Sequence, residues 1–497
     1  MGYVLGIDQS TQGTKMLLFD ERGVIVERVD KPHRQIVDKQ GYVSHDMKEV
    51  YRNVLDLFQS IIRIAGIVPR EIKAIGISNQ RETTVAWDEN GKPYAPAIVW
   101  QCSRATEIDT RIAKGKGAAE QVSETTGIPL SPFFPAAKMR WLLEHDCKNV
   151  PVEQLHMGTV DSYLVYRLTN GAVFATDASN ASRTQLMDID TRTWSASMCE
   201  LFDIPMSCLP EIKDSNALYG ETDFGGLSDV KIPIHCVMGD SHGALFGQHC
   251  TRAGMMKATY GTGSSVMLNT GDKRVKSSHG LATSLAWSID GKADYVLEGN
   301  INYTGAVISW LKDDLGLIAS AGEVNGLCDA ANPADTAVVV PAFTGLSAPY
   351  WANDAKAAIV GMTRTTRKAE IVRAATESIA QQITDVYEAM KLDFGSDIDV
   401  LRADGGPTKN PYLMQFQSDM TGAGVCVSAA AELSAIGVAY MAGIAAGIYD
   451  KIEVFKNLIY QEYSPKMDGM AKEAKRDAWK AAVSTVLGNR RNGIRGI

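Results

Sequence analysis

Apolar residues near the start of the chain fall into short runs broken by glycine and small polar residues. Residues 3–7 and 16–19 read as two strands joined by a tight turn, and residues 47–65 repeat their apolar positions with helical spacing. Residues 72–78 and 84–88 read again as strands, the second running into the turn Glu89-Asn90-Gly91. Residues 158–190 suggest a helix, an irregular polar stretch and a further strand. The pattern then restarts. Residues 243–248 can form a helix, and residues 255–258 and 266–268 form a second strand–turn–strand unit. From 369 to 390, Ile371, Ala375, Ile379, Ile383, Val386 and Met390 share one helical face. A strand at 400–403 enters Asp404-Gly405-Gly406-Pro407, and a helix is expected over 412–420. The most apolar stretch, 435–449, is too short to span a bilayer and reads as a buried helix.

Strands alternating with helices predict an α/β protein with a mixed, twisted sheet in each of two lobes. Because the hairpin-first order recurs, the boundary is placed near residue 245, giving lobes 1–245 and 246–497 with a ligand cleft between them. A length of 497 residues fits two large domains or three average ones.

Composition narrows the partners. A hydrophobic fraction of 45% and a charged fraction of 22% are those of a globular protein. A net charge of −8 without a lysine-rich block argues against nucleic acid or an anionic membrane surface. The basic run Asn489-Arg490-Arg491-Asn492 reads as a solvated tail. Eight scattered cysteines contain no Cys-x-x-Cys pair or zinc spacing, so reduced thiols in a cytoplasmic protein are expected. No secretory signal is apparent at the N-terminus.

The two hairpin turns carry the chemistry. Gly6-Ile7-Asp8-Gln9-Ser10-Thr11-Gln12-Gly13-Thr14-Lys15 and Ala258-Thr259-Tyr260-Gly261-Thr262-Gly263-Ser264-Ser265 are rich in small residues, which lets backbone N–H groups approach an anion. Between them, Met238-Gly239-Asp240-Ser241-His242-Gly243 adds a second carboxylate after an apolar strand. Phosphates, a divalent cation and a proton acceptor suit such a set, and the combination fits a phosphotransferase. Each piece also has a plainer reading: Asp8 as a turn aspartate, Asp240 as a helix N-cap, Gly261-Thr262-Gly263 as an ordinary hairpin.

The order of motifs resembles the FGGY carbohydrate kinases, and among them the glycerol-phosphorylating branch, from Asp8 to about residue 449. Its most specific piece is Phe133-Phe134-Pro135-Ala136-Ala137-Lys138-Met139-Arg140-Trp141-Leu142-Leu143-Glu144-His145, which fits the first family signature. Residues 357–377 resemble the second, with Thr376 where an apolar residue is usual. Asn79-Gln80-Arg81-Glu82-Thr83-Thr84, Ile98-Val99-Trp100-Gln101-Cys102, residues 341–351 and Met414-Gln415-Phe416-Gln417-Ser418-Asp419 follow in family order. The resemblance implies the ribonuclease-H-like fold of actin, hexokinase and the chaperone ATPases, with ATP and Mg2+ as cofactors.

It also implies roles. Asp8 would hold Mg2+, and Thr11, Gly13, Thr14 and Lys15 would line the phosphates. Asp240 would be the general base, close enough to the metal to join its site, while His242 is structural. Gly261 and Thr262 would form the second phosphate loop, and Gly405, Gly406 and Asn410 the adenosine loop. Gly305 and Ser309, at the start of a helix ending at Trp310-Leu311, would flank the adenine, with Ser309 replacing a usual Gln. Arg81 and Glu82 would hold polyol hydroxyls, although in isolation a structural salt bridge is a credible reading, and Trp100 is either a flat wall for the carbon chain or, equally, plain core.

Three positions depart from that branch: Phe133 replaces a Tyr, Ser241 a Gln and Ser265 a Phe. A donor and bulk are lost, which predicts a pocket larger than glycerol needs, suited to a tetritol, pentitol or xylulose-type ketose. Glycerol itself is the alternative acceptor. A conformational ATPase of the actin or chaperone kind, or an inactive sugar sensor, is the alternative from another class. The first signature and the Arg81-Glu82 pair argue against the ATPase, and intact Asp8 and Asp240 against the sensor. A homodimer or higher homo-oligomer is the family's habit.

Overall fold

A computed structural model describes residues 2–398 and 400–492. The side chains of the basic run at 489–492 lie outside the described residues.

The first strand–turn–strand unit is the hairpin β1 (Tyr3–Gln9) and β2 (Gly13–Phe19), extended by the antiparallel β3 (Ile25–Pro32). Helix α1 (Met47–Ala65) has the bounds its periodicity predicts: the Asp46 carboxylate caps it by accepting from Lys48 N–H, and Gly66 ends it in the left-handed region. Val50, Val54, Leu57, Phe58 and Ile61 form its buried face. Strand β4 (Ile72–Asn79) pairs parallel with β1, and β5 (Glu221–Thr222) and β6 (Ile232–Gly239) complete a six-stranded sheet in the order β5-β6-β4-β1-β2-β3. Helix α2 (Asp240–Gly247) leaves the end of β6.

The second half repeats the theme. Strands β7 (Met256–Tyr260) and β8 (Ser264–Gly271) form the second hairpin, followed by β9 (Ala282–Ile289) and β10 (Lys292–Ile301). After the short helix α3 (Gly305–Ser309) and the long α4 (Lys368–Phe394), β11 (Val400–Asp404) pairs parallel with β7. Helix α5 (Pro411–Thr421), strand β12 (Gly424–Ser428), helix α6 (Leu433–Ala445) and strand β13 (Tyr460–Tyr463) follow. The sheet order is β9-β10-β8-β7-β11-β12-β13. Each half thus builds a mixed sheet from a hairpin flanked by parallel strands, a two-domain α/β fold.

One helix crosses between the halves. Apolar on all sides, α6 returns to pack on β1, β4, β6 and α2 of the first sheet. A Cβ at Gly437 would lie 1.9 Å from the Gly243 carbonyl, so only glycine lets α6 approach α2 this closely. The Ser434 hydroxyl then donates to the Asp240 carbonyl at 2.9 Å, which fixes the start of α2. No helix among the described residues is long and apolar enough to cross a membrane.

Candidate active site

Strands β1, β4 and β6 are adjacent and parallel, so the residues at their carboxyl ends converge. Those ends carry Asp8, Ser78 with Arg81 just beyond, and Asp240. A crevice outside the carboxyl ends of such strands is where open α/β sheets bind ligands.

Asp8 is 5% exposed. Burial pushes its carboxyl up to about 6, against the opposing effects of Lys15, 3.9 Å away, and of the Ser78 hydroxyl, which donates to it. Lys15 donates to Glu432 at 2.6 Å and so stands between two carboxylates. The hydroxyl of Thr14, fully buried in the same hairpin, has no partner among protein atoms.

Asp240 opens α2 as its first helical residue; Gly239 occupies the capping position, so the N-cap reading does not hold. Its carboxylate accepts from Ser241 N–H at 2.6 Å and is 34% exposed. Burial raises its pKa, partly offset by Arg81, whose Nε lies 3.4 Å away. The nearby His242 is fully buried with both ring nitrogens unpartnered, and burial holds it neutral.

Arg81 and Glu82 do not pair with each other. The Arg81 fork donates to both oxygens of Glu298, at 3.0 and 2.8 Å, while Glu82 accepts from Arg183 at 2.7 Å. Arg183 donates a second bond to Glu298 at 2.7 Å. Burial alone would raise the Glu298 pKa, but Arg183 and Arg81 hold it well below the usual carboxylate range. Sequence reasoning missed both Glu298 and Arg183; the one available signal was a charge inside the apolar run Tyr295-Val296-Leu297-Glu298.

Beside this network, the Trp100 indole N–H donates to the Thr11 hydroxyl at 3.0 Å, and its backbone N–H donates to Thr83 at 3.2 Å. Trp100 is therefore held between the first hairpin and the Arg81-Glu82 turn. Phe133 meets it edge-on, with ring centroids 5.5 Å apart, and the two form an apolar wall. Buried Lys138 anchors that wall by donating to the Phe133 carbonyl, and burial lowers its pKa to about 7. Ser265 turns its hydroxyl to Glu298 at 3.4 Å.

The second sheet presents backbone. Gly261 N–H closes the hairpin on Gly263 at 2.8 Å, and Gly305 N–H donates to Gly261 at 2.9 Å. Gly405 has φ +103°, and a Cβ there would lie 2.0 Å from the Tyr260 carbonyl, so the loop after β11 packs directly on the loop after β7. Around Gly406 there is open space. Asn410 caps α5 by accepting from Leu413 N–H, which uses the oxygen of its amide. Ser309 is exposed, and the helix it ends does not stop at Trp310-Leu311: one wider turn continues to Asp314. Within β7 itself, fully buried Lys257 donates to Thr259 at 3.0 Å, and Thr259 donates to Asp404 at 2.8 Å. This buried cation was also missed.

Two carboxylates at the strand ends of the first sheet and close-packed glycine loops on the second fit a two-domain phosphotransferase. Comparison with known proteins gives the family. The N-terminal domain pattern of the FGGY family of carbohydrate kinases matches residues 3–247, and the C-terminal domain pattern matches residues 256–446. The chain belongs to the FGGY family of carbohydrate kinases, ATP-dependent enzymes that phosphorylate alcohol groups. Glycerol kinase 1 of Thermotoga maritima is 45% identical over 491 residues, 98% of this chain and 99% of its own length. Glycerol kinase of Alkaliphilus oremlandii is 43% identical over 491 residues, 98% and 97% of the two chains. The solved Plasmodium falciparum glycerol kinase with ADP matches with a TM-score of 0.92 at 35% identity over 98% of each chain. A ligand-bound xylulose kinase from Lactobacillus acidophilus shares the fold, with a TM-score of 0.87 at 22% identity over 99% and 98%.

Proposed function

We propose that this kinase transfers the γ-phosphoryl group of ATP to a terminal hydroxyl of a small polyol, with glycerol as the first acceptor to test. The arrangement that carries this reading is Asp240 beside the Arg81-Glu82 turn, under the Trp100–Phe133 wall. Arg81 and Glu82 would donate to and accept from vicinal hydroxyls. The acceptor oxygen would attack phosphorus as its proton passes to Asp240, and the bond to the bridging oxygen would break to release ADP. Thr11, Gly13, Thr14, Lys15, Gly261 and Thr262 would line the phosphates. Gly305, Ser309, Gly405, Gly406 and Asn410 would hold the nucleoside end.

Among the described residues no cluster of three or more His, Cys, Asp or Glu side chains could hold a metal by itself. Mg2+ needs only one or two carboxylates with phosphates and water, and buried Asp8 and part-exposed Asp240 fit that requirement. When bound, the ion would neutralise phosphate charge. We assign residues 1–245 to the acceptor lobe and 246–497 to the nucleotide lobe. We place the enzyme in the cytoplasm as a homo-oligomer; eight unpaired cysteines suit a reducing compartment.

A second reading, a four- or five-carbon polyol or ketose, rests on Phe133, Ser241 and Ser265. From the sequence it stood first; relatives named glycerol kinase at 42–45% identity weigh toward glycerol. A coupled ADP-release assay over glycerol, erythritol, threitol, xylitol, ribitol, arabitol, xylulose and ribulose decides between them. Glycerol as the fastest acceptor supports the first reading, a four- or five-carbon acceptor supports the second, and no turnover on any of them overturns both.

A further inference from the structure

We infer that Glu298 is a positioning residue that shapes the acceptor pocket from the second sheet, holding Arg81 directly and Glu82 through Arg183. The inference rests on the polyol-kinase reading above. Glu298 sits within β10, paired with Met267 on one side and Ala282 on the other, and is 1% exposed. Its two oxygens accept three guanidinium bonds, two from Arg81 and one from Arg183. Arg81 follows β4 of the first sheet, and Arg183 follows a short helix, Ala178–Ala181, elsewhere in the N-terminal half, so these bonds tie both segments to the second sheet. Arg183 is 1% exposed, its guanidinium 5.0 Å from the Phe134 ring centre, and its other side-chain bond goes to Glu82.

The connectivity explains why Arg81 and Glu82 are not collapsed onto one another. With Glu298 in place, the Arg81 fork is occupied on its outer edge, which leaves Nε toward Asp240. Glu82, held at φ 60° in its turn, keeps one oxygen on Arg183. Two groups of opposite charge, adjacent in sequence, are thus kept from pairing with each other. The Ser265 hydroxyl reaches the same carboxylate from β8 at 3.4 Å. A buried ionic network of this kind is better suited to specifying geometry than to adding stability. Acceptor affinity becomes dependent on how the two sheets are placed relative to each other, while the nucleotide cradle of Gly261, Gly305 and Gly405 lies outside the network.

The test is steady-state kinetics on purified full-length variants, with the panel acceptor that the wild type uses best. Glu298→Gln and Arg183→Gln should each raise the acceptor KM about tenfold or more, with the ATP KM within about twofold of wild type. Because the two residues act through one path, the double variant should match the worse single variant rather than the roughly hundredfold product expected of independent sites. Glu298→Asp keeps the buried charge on a shorter arm and decides the matter if Glu298→Gln does not fold: its acceptor KM should rise while its ATP KM stays. An unchanged acceptor KM in Glu298→Asp, parallel rises in both KM values, or a fully multiplicative double variant would each overturn the inference and leave the kinase reading intact. A wild type inactive on every acceptor overturns that reading instead, and this inference with it.

Discussion

Asp8→Asn should make the nucleotide-free protein more stable while crippling its use of Mg2+-ATP. Asp8 ends an apolar strand at 5% exposure, and burial lifts its carboxyl from 3.8 to about 6 in spite of Lys15 and the Ser78 hydroxyl. A difference of about two pH units corresponds to roughly 3 kcal/mol. The folded chain binds this proton more tightly than the unfolded chain. The stabilisation is therefore complete below about 4 and lost as pH rises through about 6. Above that window the native state carries a buried carboxylate at a cost. Asparagine keeps an acceptor for Ser78 and removes the charge. If one lobe of about 250 residues is the unfolding unit, its entropy near 0.5 kcal/mol/K converts 3 kcal/mol into a Tm gain of about 4–6 °C at pH 7.5. At pH 4.5 the folded wild-type carboxyl is already protonated while the unfolded one is still mostly ionised, and the gain should shrink to about a third. Differential scanning fluorimetry of both proteins at the two pH values, with and without Mg2+-ADP, measures all of this. Mg2+-ADP should raise the wild-type Tm more than the variant's. An equal or lower Tm for Asp8→Asn at pH 7.5, or the same gain at both pH values, refutes the reasoning.

Asp240→Asn should lower kcat about 10²–10⁴-fold, the range for loss of a general base, with ADP affinity nearly unchanged by calorimetry; near-normal turnover removes Asp240 from that role. Ser265→Phe should refill the space beside Glu298 and favour glycerol over longer acceptors in the ADP-release panel. Unaltered acceptor preference would show that position 265 does not shape the pocket. Gly405→Ala forces a Cβ to within 2.0 Å of the Tyr260 carbonyl at φ +103°, so ADP affinity should fall and Tm drop, whereas a wild-type Tm would contradict the close packing of the two loops.

What was legible in the chain was local. The bounds of α1 follow from its apolar spacing, Asp46 and Gly66, all within one helix length of each other. Both hairpins were readable because their small-residue turns sit between apolar runs, and Asp8 and Asp240 stood out because each follows such a run. Family resemblance supplied roles that spacing alone does not give. Helix α3 ran past its expected end because the turn geometry after Ser309 widens, which no residue type announces.

The sequence by itself determined the two hairpins, α1 and most of α4, since turn chemistry and apolar period act between neighbours, but not β3 or the helix Gly469–Asn492. Only the tertiary structure decided what Arg81 and Glu82 do. Arg81 finds Glu298 across 217 residues, Glu82 finds Arg183 across 101, and Lys15 finds Glu432 across 417. Such pairs exist because two sheets and a returning helix bring distant strand ends together. Burial then makes each charge depend on the partner it meets there, because an unpaired charge is costly away from water.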